Sequence, residues 1–141
     1  MVSYVANEFY AEGLQAFAGK LIDWNGDNIK ALLATSAYSP NTGAGGDKFV
    51  SDIPAAAIKA RSPNFAGKSE TGGILNASTI TFSLVASGVA LTRLVVYQDT
   101  GADATSRLII KVDTGVNFPE TPIGGDISCQ WDAETNKIGR I

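Results

Sequence analysis

Hydrophobic and polar positions are most regularly ordered between residues 89 and 115, where VALTRLVVYQDT and RLIIKVDTG flank the run GADATS. Leu94, Val95, Val96 and Tyr97 form an unbroken apolar stretch. In the second half Leu108, Ile110 and Val112 share one face, with Arg107, Ile109, Lys111 and Asp113 on the other. Period-two alternation bounded by Asp, Thr and Gly marks a half-buried strand. The connecting run is rich in turn formers. The stretch therefore predicts a central β-hairpin, with shorter strands packed around it.

Residues 78–85 alternate most cleanly, with Ile80, Phe82 and Leu84 on a core face and Thr79, Thr81 and Ser83 on a hydroxyl-rich outer face. Ile29, Ala31 and Leu33 share a face of a strand over 28–35. Ile58 and Ala60 oppose Lys59 and Arg61 over 57–62, after a loop segment anchored by Phe49, Val50 and Ile53. Ile127, Cys129 and Trp131 share a face, and 137–141 reads as an edge strand after a turn marked by Glu134 and Asn136. The runs 36–47 and 116–125, rich in Pro and Gly, read as loops, the first exposed and mobile.

Only one stretch shows helical spacing. Tyr10, Leu14, Phe17 and Leu21 recur at i, i+4, i+7 and i+11 behind a candidate cap at Asn7. Gly13 weakens that helix by about 1 kcal/mol relative to Ala. Residues 1–6 read as an extended arm. The arm and helix (1–20) precede a single β domain (21–141). The fold expected is all-β in the main: a β-sandwich or flattened barrel of about seven to eight antiparallel strands, with one short N-terminal helix plugging an open end or docking on a neighbour.

Composition narrows the function classes. The chain has 141 residues, enough to bury a core. Charged residues make up 18%, below the usual quarter or so, and the net charge is −3. No basic cluster exists to neutralise phosphates, so neither nucleic acid nor a membrane surface is an expected partner. There is no histidine, which removes the commonest general base and metal ligand. Cys129 is the single cysteine and lies among core positions. With no basic n-region followed by an apolar run, synthesis in a cytoplasm is expected.

Candidate chemistry is sparse. Asp23–Trp24–Asn25–Gly26–Asp27 resembles the start of a calcium loop, but the glycine is misplaced and position 12 would be Ala34, so a tight turn at Asn25–Gly26 is expected. Gly43, Gly45 and Gly46 lack the Lys–Ser/Thr pair of a phosphate cradle. Asp–Thr–Gly occurs twice, at 99–101 and 113–115, the tripeptide of aspartic proteases. The copies fall at opposite ends of one expected strand, so they cannot face each other, and both fit turns. Asp99, Asp103, Asp113, Glu120 and Asp126 also fall in expected turns. Trp24, Tyr4 and Tyr38 could serve a carbohydrate-binding sandwich, whereas Trp131 reads as core. No enzyme activity, cofactor or metal is expected.

From Leu21 onward the chain resembles a family of small tailed-bacteriophage virion proteins. The resemblance rests on LIDWNGDNIKALL (21–33), DIPAAA (52–57), TGGILNASTITF (71–82), VVYQDTG (95–101), SRLIIKVDTG (106–115) and TPIGGDISCQWDAETNKI (121–138). These are strand, turn and glycine patterns, so no functional residue carries over. The resemblance implies a structural role, foremost a head decoration (cement) protein on the capsid surface, with a tail or fibre part as the alternative. Its partners would be the major capsid protein and further copies of itself, as a trimer suited to threefold lattice positions. Candidate contacts are Val2, Tyr4, Phe9, Tyr10, Tyr38 and Phe118, in the arm and the two long loops.

Overall fold

The computed structural model describes residues 2–116, 118–131 and 137–141, with the backbone alone at 2–7 and 114–116. Ten strands and one α-helix are described. They are β1 (Val2–Phe9), α1 (Ala11–Ala18), β2 (Ile29–Thr35), β3 (Ile58–Arg61), β4 (Ser69–Thr71), β5 (Ile74–Asn76), β6 (Ile80–Phe82), β7 (Leu91–Gln98), β8 (Leu108–Val116), β9 (Ile127–Trp131) and β10 (Gly139–Arg140). Seven build one sheet in the order β3-β2-β7-β8-β1-β9-β6, and three build a second, β10-β5-β4. All pairs are antiparallel except β1 with β9. The mainly β fold is as the alternation predicts.

The centre of the large sheet, β2 and β7, is buried on both faces, which explains the unbroken apolar run in β7. Successive residues of a strand point to opposite faces. Ile29, Ala31 and Leu33 of β2, with Leu94 and Val96 of β7, enter one core, completed by Leu75, Phe65, Trp24 and Ile138. Leu32, Ala34, Val95 and Tyr97 enter a second core with Tyr38, Val50, Ile53 and Ala57. The small sheet, α1 and the stretch around Phe65 close the first face. The long connection from β2 to β3 closes the second. Fully burying such a side chain stabilises by roughly 1.5–3 kcal/mol, so these two cores outweigh any surface contact described below.

The β7–β8 hairpin forms where the pattern places it, but β8 does not keep one face. Val96 pairs with Ile110 while Tyr97 pairs with Leu108, leaving Ile109 as an extra residue. The bulge sends Leu108 to the second core and both Ile109 and Ile110 to the first. Alternation alone cannot show an inserted residue.

Residues 2–9 are not an arm. They form β1, set between β8 and β9, with Tyr4 opposite both Gly115 and Trp131. Two register shifts, between Tyr4 and Ala6 and between Ala6 and Asn7, break the period that would have revealed the strand. Asn7 lies in β1, paired with Val112, and the residue that precedes the helix is an extended Tyr10. The buried face of α1 is Gly13 and Ala16, while Leu14 and Leu21 of the expected stripe are exposed. A Cβ on Gly13 would lie 2.5 Å from the Leu108 carbonyl oxygen. Glycine there costs helix propensity but lets α1 settle against the β8 backbone.

The strand expected over 78–85 is shorter. Ile80 and Phe82 are buried as read, but β6 ends at Phe82 and Leu84 is 76% exposed, with φ +48°. Val85 is buried in its place. The second Asp–Thr–Gly copy lies within β8, not in a turn. The loop over 36–47 is pinned: Asp47 Oδ2 accepts from Tyr38 Oη and Asn41 N, and Gly45 N donates to Glu12 Oε1. The turn around Glu134 and Asn136 lies outside the described residues.

Candidate contact surfaces

Three of the six residues expected to meet partners are in the interior. Tyr10 and Tyr38 are 0% and 2% exposed, and their hydroxyls hydrogen-bond to each other at 2.7 Å. The chain continues from Tyr38 Oη to Asp47 Oδ2 at 2.8 Å. Burial pushes both phenols well above their ordinary range. These tyrosines lock the long connection onto the second core, so they are not contact residues. Phe118 is 7% exposed and belongs to the first core. Phe9 is half-buried against the same core. Val2 and Tyr4 lie in β1 by their backbone, and their side chains are outside the described residues.

Of the aromatics offered for a sugar groove, Trp24 and Tyr38 are inside, and the Tyr4 side chain lies outside the described residues. Trp24 is 3% exposed and packs edge-on to Phe65 at 6.1 Å, with its Nε1–H donated to the Asn76 carbonyl. Trp131 is 6% exposed, as read from its alternation with Cys129.

The turn carboxylates hold structure. Asp99 Oδ1 accepts from Gly101 N, and Lys30 sits 3.0 Å from Oδ2. Burial pushes the Asp99 pKa up, but that amide and ammonium outweigh it and hold the carboxyl low. Asp103 takes both Arg61 guanidinium nitrogens at 2.8 Å and is lowered chiefly by them. Asp113 lies 2.6 Å from Lys111, so the two Asp–Thr–Gly aspartates serve separate ion pairs. Asp52 Oδ2 accepts from Phe49 N and Lys48 N, which lowers its pKa. In the Asp23–Asp27 turn neither Asn25 nor Gly26 takes a positive φ. A Cβ on Gly26 would meet only the end of the Asp23 side chain, Oδ2 at 2.4 Å, which is exposed. Among the described residues no three His, Cys, Asp or Glu side chains group as metal ligands.

What the surface does offer is apolar. Six large hydrophobic side chains stay exposed among the described residues, and strand directions sort them into two sets. β2, β6 and β8 run one way and β1, β7 and β9 the other. The 83–90 and 118–126 loops therefore emerge at one end, and α1 with the 19–28 segment lies at the opposite end. Leu84, Val89 and Ile123 belong to the first end; Leu14, Leu21 and Ile141 belong to the second. At that second end a groove of about 390 Å³ is lined by Leu14, Phe17, Trp24, Leu75 and Ile141, with Asp23 and Glu70 as its charged residues. At the first end the loops are laced together. Val85 N donates to the Gly125 carbonyl, Leu84 N to Asp126 Oδ1, and Leu91 and Glu120 exchange backbone hydrogen bonds.

Sequence reading missed these positions for two reasons. Leu84 continues an alternation that the backbone abandons, and Ile123 and Val89 are single apolar residues within Gly, Pro and Ser runs. The signal was there in 118–126 as an isoleucine with no apolar neighbour to pack beside.

No protein-family model matches the chain, and a search of curated proteins finds no match. Among the described residues no helix is long and apolar enough to cross a membrane.

Proposed function

We propose that this chain is a structural virion protein of a tailed bacteriophage, a head decoration protein that binds and stabilises the capsid shell. The observation that carries a binding role is the division of exposed large hydrophobics between the two ends of a sheet whose centre is covered on both faces. Contiguous exposed apolar surface marks interaction sites in soluble proteins. The virion setting comes from the sequence patterns set out above, which are those of strands and turns. On this reading the chain acts as a symmetric oligomer, a trimer at threefold positions, and many weak contacts gain strength by avidity. No catalytic step is assigned to it. A carbohydrate-binding role is disfavoured because Trp24 and Tyr38 are buried.

The test is co-sedimentation with purified undecorated shells, with the mass in solution measured alongside by light scattering. Saturable pelleting at a stoichiometry matching the lattice supports the reading. A protein that stays in the supernatant at all concentrations overturns it, and binding to tails instead would assign it to the tail or fibre class.

A further inference from the structure

The groove between α1 and the small sheet has a floor of core side chains and an open apolar rim. Ile22, Trp24 and Leu75 form the floor, none more than 5% exposed, whereas Leu14 and Ile141 at the rim are 37% and 50% exposed. The floor is fixed in place, because Trp24 donates its indole N–H to the Asn76 carbonyl and packs edge-on to Phe65. A volume of about 390 Å³ lies within the range of small-molecule sites, roughly 300–1,000 Å³. Both ionisable side chains lining it, Asp23 and Glu70, are acidic. Glu70 stands directly across from Leu75 in the β4–β5 pair, so the two side chains share a face. Leu75 on that face is fully buried in the first core. A position where an aliphatic residue would close the core therefore carries a carboxylate beside open space. Among the described residues Glu70 joins none of the ion pairs, and Asp23 uses one oxygen, Oδ1, to accept from Asn25 N. Lys48 and Arg107 do not offset this charge, since they border a separate cavity of about 170 Å³ against the opposite face of α1. An apolar, partly aromatic cleft with two carboxylates and no cation is complementary to a charged nitrogen on an apolar body. Carboxylates make charge-assisted hydrogen bonds to it, and aromatic rings add cation–π attraction.

We propose that this groove is a binding site for a small organic ammonium ion. Asp23 and Glu70 take the charged nitrogen, and Leu14, Phe17, Trp24 and Leu75 take the apolar body. The site is independent of the virion reading.

Hexylammonium and hexanol share one apolar body and differ in charge. Each is titrated into the full chain at low salt, followed by calorimetry and by tryptophan fluorescence, to which Trp24 in the groove contributes. The expected result is saturable binding of hexylammonium, about fivefold or more tighter than hexanol. Glu70→Gln, at an exposed position, should remove most of that preference while leaving hexanol binding unchanged. Leu14→Arg places a cation in the groove from an exposed position and should abolish hexylammonium binding. Ile123→Ser, at the opposite end, should bind both ligands as the unmodified chain does. Thermal unfolding establishes that each variant keeps its fold. Hexylammonium binding no tighter than hexanol overturns the proposal, as does an undiminished preference in folded Glu70→Gln and Leu14→Arg. A variant that fails to fold leaves the comparison of the two ligands on the unmodified chain as the deciding measurement.

Discussion

Tyr38 sits in a segment with the composition of a mobile loop, yet its hydroxyl joins Tyr10 to Asp47 inside the second core. Tyr38→Phe keeps the ring and leaves the buried Tyr10 hydroxyl without its partner. A loss of about 1–3 kcal/mol is expected in urea unfolding. Arg61→Ala, at a bidentate but half-exposed pair, is expected to cost no more than about 1 kcal/mol. Tyr10, Tyr38 and Tyr97 all have phenols raised chiefly by burial. A raised folded pKa favours the neutral form, so that contribution is complete below about pH 10, the ordinary phenol value, and is lost as pH rises beyond it. Ultraviolet titration should therefore show these phenols resisting ionisation until the chain unfolds. A reversible phenolate signal from all of them at constant near-UV circular dichroism would contradict this. At the acid edge, Asp52, Asp99 and Asp103 are lowered, so their contribution is present above about pH 4 and fades below it. Leu84→Asn, which tolerates positive φ, is expected to raise stability by roughly 0.5–1 kcal/mol.

At the scale of elements, Gly13 reverses the usual rule. Alanine in a helix interior gains about 1 kcal/mol over glycine, but here its methyl would press on the Leu108 carbonyl. Gly13→Ala should destabilise by more than about 1 kcal/mol, because β8 must move; a higher unfolding midpoint would show that α1 is free to shift. The sequence pattern places β2, β3, β7 and β9 where they stand, and β9 keeps its expected face, but a register shift in β3 sends Ile58 to the second core and Ala60 to the first. It failed at bulges and at ends. Ile109 and the irregularities of β1 each shift register by one residue, and period-two reading has no means of detecting such a step. Burial on both faces of β2 was also hidden, since Leu32 and Ala34 look like interruptions until the second core is seen. The contact residues fared worst. Tyr10 in the arm and Tyr38 and Phe118 in the loops are expected at the surface, whereas they supply what the long connections need to stay attached.

The molecule as a whole depends on β1 in a way its place in the sequence conceals. Removing residues 1–9 would open the large sheet between β8 and β9 and separate β9 and β6 from the other strands. Such a chain is expected to lose near-UV circular dichroism and cooperative unfolding, rather than merely shed an arm. The same arrangement has a consequence in time. Val2 pairs with Cys129 and Tyr4 with Trp131, so the slot for β1 cannot close until residues near 130 have been synthesised. Folding dominated by such distant pairings is slow, on the order of milliseconds to seconds. Throughout that interval the slot presents two unpaired strand edges to its surroundings, and the β1 of another molecule fits it as well as its own. Crowded refolding should therefore yield exchanged multimers, and dilute refolding the closed single chain.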